Sequence, residues 1–367
     1  MVLRKPRVGA TAKSPQQLGY RMPAEWEPHS ATWIAWPHHR ADWPGKFAPI
    51  PWIYAEIVRL ISRGEQVCIF VQDARAQLRA QRVLERANVD LARIEFYRTP
   101  TNRVWTRDSG PIFLHRADEA KLGVCDFKFN AWAKYDNWHA DDRLPAFVAR
   151  ALGVPRFVPE VTGADGRARR LVLEGGSLDV DGQGHLLTTE ECLLSTVQQR
   201  NPDVPREAIE AALCESLGVT RVLWLGRGIA GDDTHGHVDD LARFVRPGTI
   251  VLASERDHRD ANFEPLQENL VRLRAMRDVR GHAFEVIELP LPAPVVFAGQ
   301  RLPASYANFY IANAAVLVPV FNDANDEVAL RTLSAVFTDR PVVPVYCRDL
   351  VWGLGTLHCM TQQQPAT

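Results

Sequence analysis

The sequence predicts an α/β fold. Short runs rich in β-branched and aromatic residues alternate with segments of helical hydrophobic spacing, and turn-forming residues bound most of the runs. The first expected strand covers 31–36, where Thr32, Trp33, Ile34 and Trp36 stop at Pro37. A helix over 52–62 carries Ile53, Ile57, Leu60 and Ile61 on one face, and a strand over 66–72 is built on Val67, Ile69, Phe70 and Val71. Helical spacing resumes over 75–87 through Ala76, Ala80 and Leu84, and strands are expected at 111–115, opening on Pro111, and at 185–189. Pro205 sits where helix starts are favoured, ahead of a helix over 205–217. Strands over 221–225 and 249–254, helices over 262–277 and 325–337, and a strand over 341–346 complete the alternation. No exact repeat is visible and no Ser/Gly- or Pro-rich linker divides the chain, although 289–294 is a proline-punctuated loop. One domain over 22–367 is therefore expected.

Composition excludes several classes. The 367 residues are 46% hydrophobic and 24% charged, with a formal net charge of -1 that gives no electrostatic reason to expect nucleic acid or an anionic membrane as partner. The six cysteines, at 68, 125, 192, 214, 347 and 359, lie far apart without a C-x-x-C pair, which reads as reduced thiols in a cytoplasmic setting. Residues 1–21 hold Arg4, Lys5, Arg7, Lys13 and Arg21, and lack the apolar run of a secretion signal, so they read as a mobile basic tail. The longest apolar run, 314–321, is interrupted by Pro319 and is too short to span a bilayer.

The chemistry is concentrated in four segments. GLGTLHCMTQQQP, at the end, sets Cys359 between a glycine-bearing turn and a run of amides. A buried cysteine is more often core than nucleophile, and a catalytic thiol needs an acid/base and an orienting group brought to it by the fold. In NRVWTRDSGPIFL, Asp108 falls in a polar turn closed by Gly110 and Pro111; it either points into a rim or pairs with Arg107, and Trp105 is either core or an aromatic wall for a cation. In LEGGSLDVDGQGHLLTT, a hairpin turns near 181–184, and Glu174 precedes two glycines at an apolar strand end, where a charge has to cap, pair or work. DDTHGHVDD is the densest polar cluster; if extended, it puts His235, His237 and Asp239 on one face. That spacing is similar to the start of the H-x-H-x-D-H signature of metallo-β-lactamase-type zinc hydrolases, but Asp240 stands where a histidine is needed, and zinc ranks second. The first reading is metal-free, with no cofactor: one histidine as acid/base and one carboxylate beside it for a cationic substrate.

Three acids, Asp108, Glu174 and Asp239, around His237 and Cys359 would raise the thiol pKa and weaken it as a nucleophile. A bound guanidinium reverses that penalty, because carboxylate pairs satisfy its charge and the charge in turn favours a thiolate beneath its central carbon. An unperturbed thiol is only about 3% thiolate at pH 7, so this assistance matters. The fitting reaction is guanidine hydrolysis through a covalent thiouronium.

The chain resembles the agmatine deiminase and Porphyromonas-type peptidylarginine deiminase family over nearly its whole length. The resemblance is carried by MPAEWEPHSATWIAWP from Met22, FNAW from Phe129, WTRDSGP, LEGGS around Glu174, GHVDD, and HCMTQQQP. It implies a pentein α/β propeller of five ββαβ-type modules about a pseudo-fivefold axis. It also implies that the nucleophile falls on Cys359, the acid/base on His237, the histidine-side glutamate on Glu174, and the guanidinium-binding carboxylates on Asp108 and Asp239, with Trp105 beside the substrate. No metal or cofactor is implied, the partner is a small cationic guanidino compound, and a homodimer is compatible with the resemblance. Agmatine deiminases similar to this chain usually read GGGNIHC and FNAWGGK where this chain reads GLGTLHC and FNAWAKY, so Leu354, Thr356 and Ala133 depart from the pattern. Agmatine, hydrolysed to N-carbamoylputrescine and ammonia, is the first substrate expectation. A peptidyl arginine, another small guanidine, or amidino transfer to an amine stay open. Non-catalytic ribosome anti-association factors resemble penteins too, and the Cys, His and carboxylate set separates this chain from them.

Overall fold

A computed structural model describes residues 13–164 and 166–367. Mixed α/β structure is observed throughout, and five of the sheets share one pairing pattern. In four of them a short strand pairs antiparallel with the next, and a helix then carries the chain to a third strand lying parallel to the second; the fifth takes its antiparallel strand from the far end of the chain. Ile112–Arg116, Lys121–Cys125 and Arg156–Phe157 form one such sheet, with helix Leu144–Leu152 as its crossover. Asp179–Val180, His185–Thr189 and Arg221–Leu225 form the next, Ala242–Arg246, Thr249–Ser254 and Glu285–Pro290 another, and Tyr310–Ile311, Val316–Val320 and Val342–Tyr346 a fourth. Helices Arg206–Leu217, Phe263–Ala275 and Asp326–Val336 make the crossovers that parallel pairing requires.

The fifth sheet joins the two ends of the chain. Gln362–Pro365 pairs antiparallel with His29–Ala35, which pairs parallel with Gln66–Val71 and through it with Ile94–Arg98. Its crossovers are Ile50–Ile61 and Ala74–Arg86. The amphipathic spacing of Ile50–Ile61 is satisfied by burial of Tyr54, Ile57, Val58 and Ile61 against the sheet carrying Trp33, Ile34 and Phe70. Asp73 caps Ala74–Arg86 by accepting from the Ala76 backbone N–H.

Most expected elements are found within one or two residues of their predicted limits, and the strands at 185–189, 221–225 and 249–254 coincide with them. DDTHGHVDD is not extended. Asp232 accepts from the backbone N–H groups of Thr234, Gly236 and His237, His235 and Gly236 have φ of 64° and 93°, and Val238–Asp240 is a 3-10 turn. A side-chain carboxylate that ties three backbone donors folds the segment back on itself, overriding the alternating pattern. Of the expected basic tail, residues 1–12 lie outside the described residues. Within 13–21, Tyr20 is buried and Arg21 bridges backbone to backbone with His115. No helix among the described residues is long and apolar enough to cross a membrane.

The topology directs chemistry to one set of turns. Asp108, Glu174, Asp239, Asn308 and Cys359 each lie two to five residues before the first strand of a different one of the five sheets.

Candidate active site

Three of these positions sit in short helical turns that aim side chains inward. Asp108 is in the turn Thr106–Ser109, Glu174 immediately precedes Gly175–Ser177, and Asp239 is in Val238–Asp240 behind His237. Two glycines make the convergence possible. A Cβ on Gly176 would stand 2.6 Å from His237 Nδ1, 2.7 Å from Asp108 Oδ1 and 3.1 Å from Asp239 Oδ2, so three polar side chains crowd one backbone position that only glycine leaves open. A Cβ on Gly355 would meet the Trp105 ring at 2.8 Å and Cys359 Cβ at 3.1 Å.

Asp108 Oδ1 accepts from the Gly176 N–H at 3.0 Å and lies 3.7 Å from His237 Nδ1, while its Oδ2 accepts from Trp132 Nε1 at 2.9 Å. His237 Nε2 is 3.5 Å from Glu174 Oε2, and the other Glu174 oxygen accepts from Arg200 Nε at 3.1 Å. Asp239 Oδ2 lies 2.7 Å from His358 Nδ1 and 3.8 Å from Cys359 Sγ. Asn308 braces the thiol, with Nδ2 donating to Cys359 Sγ at 3.1 Å and Oδ1 accepting from the backbone N–H groups of His358 and Cys359. Both His237 ring nitrogens, Glu174 Oε2 and Asp239 Oδ1 are buried without a hydrogen-bond partner. Buried polar atoms are rarely left so; the two ring nitrogens face carboxylates, Asp108 at 3.7 Å and Glu174 at 3.5 Å, beyond hydrogen-bond length.

The electrostatics follow from dense charge in a dry setting. Burial first, then Asp239, Asp240 and Asp108, push the Cys359 thiol well above its usual range. Burial, with Asp239 and Glu174 and against His237, lifts Asp108 to about 7. Burial acts against ionised Glu174, yet Arg200 and His237 hold it down at about 2. Burial also opposes a charged His237, but Asp108, Cys192 and Glu174 outweigh it and raise the imidazole well above the usual histidine value. Asp239 is held low despite burial by His358, His237 and Arg243, while its neighbour Asp240 is pushed far up by burial and by Asp239. One carboxylate of that pair is charged and the other keeps its proton.

Asp108, Trp105 and Cys359 line a cavity of about 220 Å³, with Trp132, Trp352 and Leu354 among its walls. Of the residues anticipated from the sequence, Cys359, His237, Glu174, Asp108, Asp239 and Trp105 are brought together. His235 is not among them: its Nε2 lies 3.1 Å from Ser195 Oγ, outside the cluster, because the loop reverses at Gly236. The zinc set His235, His237 and Asp239 is accordingly not assembled. Arg107 does not pair with Asp108 either; buried, it reaches Glu25 at 3.1 Å and Gln363 at 2.7 Å.

A model of the family described as Porphyromonas-type peptidyl-arginine deiminase matches residues 21–365. The chain belongs to this family. It is 39% identical to an agmatine deiminase of Stutzerimonas stutzeri (strain A1501), over 96% of this chain and 97% of that protein, and 36% identical to one of Ectopseudomonas mendocina (strain ymp) with the same coverage. The solved agmatine deiminase of Enterococcus faecalis superimposes with a TM-score of 0.87 at 33% identity, covering 97% of this chain and 99% of that one.

The three residues singled out in GLGTLHC and FNAWAKY, Leu354, Thr356 and Ala133, each occupy a constrained place. Leu354 takes up φ 69°, a left-handed conformation that costs a branched residue about 1–2 kcal/mol and glycine little. Ala133, at φ 53°, follows Ala131 and Trp132 in the same region. Thr356 donates to Asn308 Oδ1 at 2.7 Å and so supports the amide that braces Cys359.

Residues missing from the sequence reading are Asn308, Trp132, His358 and Glu25. Trp132 and Glu25 stand inside FNAW and MPAEWEPH, segments that carry the resemblance, and His358 adjoins the thiol. Asn308, in SYANFYIAN, has no local signature, and only the fold brings it to Cys359.

Proposed function

We propose that this protein hydrolyses the guanidino group of agmatine to N-carbamoylputrescine and ammonia through a covalent adduct on Cys359. The observation that carries the reading is the ring of Asp108, His237 and Asp239 packed around Gly176, with Glu174 3.5 Å from His237 and the Cys359 thiol 3.8 Å from Asp239. Family membership and the agmatine deiminase relatives support a guanidino substrate and a C–N hydrolase. A cavity of about 220 Å³ walled by Trp105, Trp132 and Trp352 suits one small alkylguanidinium.

In this mechanism Asp108 and the unpartnered Asp239 Oδ1 take the guanidinium by charge-assisted hydrogen bonds. The incoming cation offsets the repulsion that keeps Cys359 protonated, the thiol proton passes to solvent, and the thiolate attacks the guanidinium carbon. His237, held charged by Asp108 and Glu174, gives its proton to the departing amine, which leaves as ammonia and leaves an amidino group on sulfur. The now neutral imidazole accepts a proton from water, the resulting hydroxide adds to the same carbon, and collapse expels the Cys359 sulfur and releases the urea product. Glu174 and Arg200 fix the ring that serves both halves.

The finer architectural reading also belongs here. Five sheets of one pairing pattern, each supplying a residue from the turn before its first strand, support a single pentein propeller over 22–367 with the site on its axis.

Ammonia release from agmatine, measured beside a peptidyl arginine substrate, tests the assignment. Turnover of agmatine, with the peptide at least about a hundredfold slower in kcat/KM, is expected. Equal or faster turnover of the peptide would move the substrate class.

A further inference from the structure

Cys192 has no part in the reaction above, yet it lies at the back of the site. The helix Glu190–Leu194 is capped by Thr189, whose Oγ1 accepts from the Cys192 N–H at 3.0 Å and donates to the Gly236 carbonyl at 2.5 Å. One hydroxyl thus fixes Cys192 relative to the residue preceding His237. A sulfur of Cys192, a nitrogen of His237 and an oxygen of Glu174 all lie within 4.8 Å of one another, and all three residues are buried.

We propose that Glu174, Cys192 and His237 bind a borderline-soft divalent cation, zinc above all, in a site that excludes catalysis when filled. The donors are one thiolate, one imidazole and one carboxylate, a set that suits zinc over magnesium or calcium. Two of the three bring a donor atom with no hydrogen bond of its own: Glu174 Oε2 and His237 Nε2 are both buried and face each other at 3.5 Å. Tetrahedral zinc at its usual bond lengths spaces its ligand atoms by about 3.5 Å, the separation found between His237 Nε2 and Glu174 Oε2. The nearest wall of the cavity is Asp108, whose Oδ1 lies 3.7 Å from His237 Nδ1. On binding, Cys192 loses its thiol proton and His237 its Nε2 proton to solvent, and the ring can no longer deliver a proton to a leaving amine. A second cluster, Asp239, Asp240 and Cys359, offers a thiolate and two carboxylates but no imidazole, and Asp239 Oδ2 is already taken by His358. It fits zinc less well. Binding stands on the donor geometry alone; inhibition rests on the proposed role of His237.

Zinc chloride titrated into the full chain by calorimetry tests the site, with cobalt(II) as a spectroscopic stand-in. The wild type and Cys359→Ser should each take up one ion per chain and show a thiolate-to-cobalt charge-transfer band. Cys192→Ser should lose the band and at least tenfold in zinc affinity. If that variant does not fold, judged by circular dichroism, Glu174→Gln should show the affinity loss while keeping the band. A band lost in Cys359→Ser but kept in Cys192→Ser, or no uptake by the wild type at micromolar zinc, overturns the proposal. Zinc that binds as expected without slowing ammonia release would leave the metal site intact and refute the role given to His237.

Discussion

His358 Nδ1 lies 2.7 Å from Asp239 Oδ2, and the far ring nitrogen lies 2.8 Å from Glu25 Oε2. The residue next to the thiol therefore holds a carboxylate that faces the thiol. Glu25 is itself anchored by Arg107, Arg243 and the Ile311 N–H, so the arrangement is rigid on both sides. The other Asp239 oxygen, Oδ1, is buried without a hydrogen-bond partner.

His358→Asn shortens the side chain so that it cannot reach both Asp239 and Glu25. Removing one member of a buried charged network costs about 3–5 kcal/mol. Part of that should appear as a lower midpoint of thermal unfolding and part as a fall of at least about a hundredfold in kcat/KM on agmatine. Near-native values of both would show that His358 does not support Asp239.

Asp108→Asn and Asp239→Asn preserve shape and remove charge. A guanidinium facing an amide forfeits a charge-assisted pair, and about 1.4 kcal/mol is tenfold in rate. Each variant should lose orders of magnitude in kcat/KM. The loss should reach kcat as well as KM, because the bound cation also favours the thiolate. Steady-state kinetics with kcat left intact in either variant would separate binding from thiol activation.

Asp108, lifted to about 7, sets an acid limb for binding. Substrate needs its carboxylate form, so below pH 7 protonation competes and agmatine affinity should weaken about tenfold per pH unit, while above pH 7 it should level off. For folding the sign is opposite. A carboxyl whose folded value is raised favours the native state at low pH, and that contribution is lost as pH rises from the ordinary value of 3.8 to about 7. Calorimetric binding of agmatine to Cys359→Ser across pH 5.5 to 8.5 measures the limb (about three pH units bracket the transition), and Asp108→Asn should abolish it.

The raised thiol of Cys359 predicts slow alkylation by a neutral reagent. Inactivation by iodoacetamide should be slow at pH 7 and climb steeply into alkaline pH. A haloacetamidine carries the cation that lowers the penalty, and should inactivate at least about a hundredfold faster at pH 7. Asn308→Ala removes the donor on Cys359 Sγ and should slow the amidine reaction without affecting the preference for it. Equal rates for the two reagents would show that substrate charge does not activate the thiol.

Much of this was legible in the chain because local signals and burial agreed. The strand at 249–254 is almost wholly apolar behind Pro247 and Gly248, and its neighbours on both sides leave no other use for it. Glu174 was legible because charge beside glycines in an apolar setting is costly unless it works, whereas the roles expected of Cys359, His237, Asp108 and Asp239 rested on the family resemblance. DDTHGHVDD misled, since periodicity is blind to a side chain such as Asp232 that ties its own backbone. Strands Ala242–Arg246 and Gln362–Pro365 carry Arg243 and three glutamines, whose burial depends on partners distant in sequence. Asn308 and Cys192 are of the same kind: ordinary in composition, and placed beside Cys359 and His237 by tertiary structure alone.

The proposed mechanism stands on transfer of the amidino carbon to the Cys359 sulfur. Acid-quenching the wild-type protein during turnover of agmatine, followed by peptide mass spectrometry, tests it most directly. An amidino group is expected on the peptide containing Cys359, absent from the other cysteines, with turnover abolished in Cys359→Ser. Sustained ammonia release by Cys359→Ser, or turnover with the adduct on another residue, would contradict it.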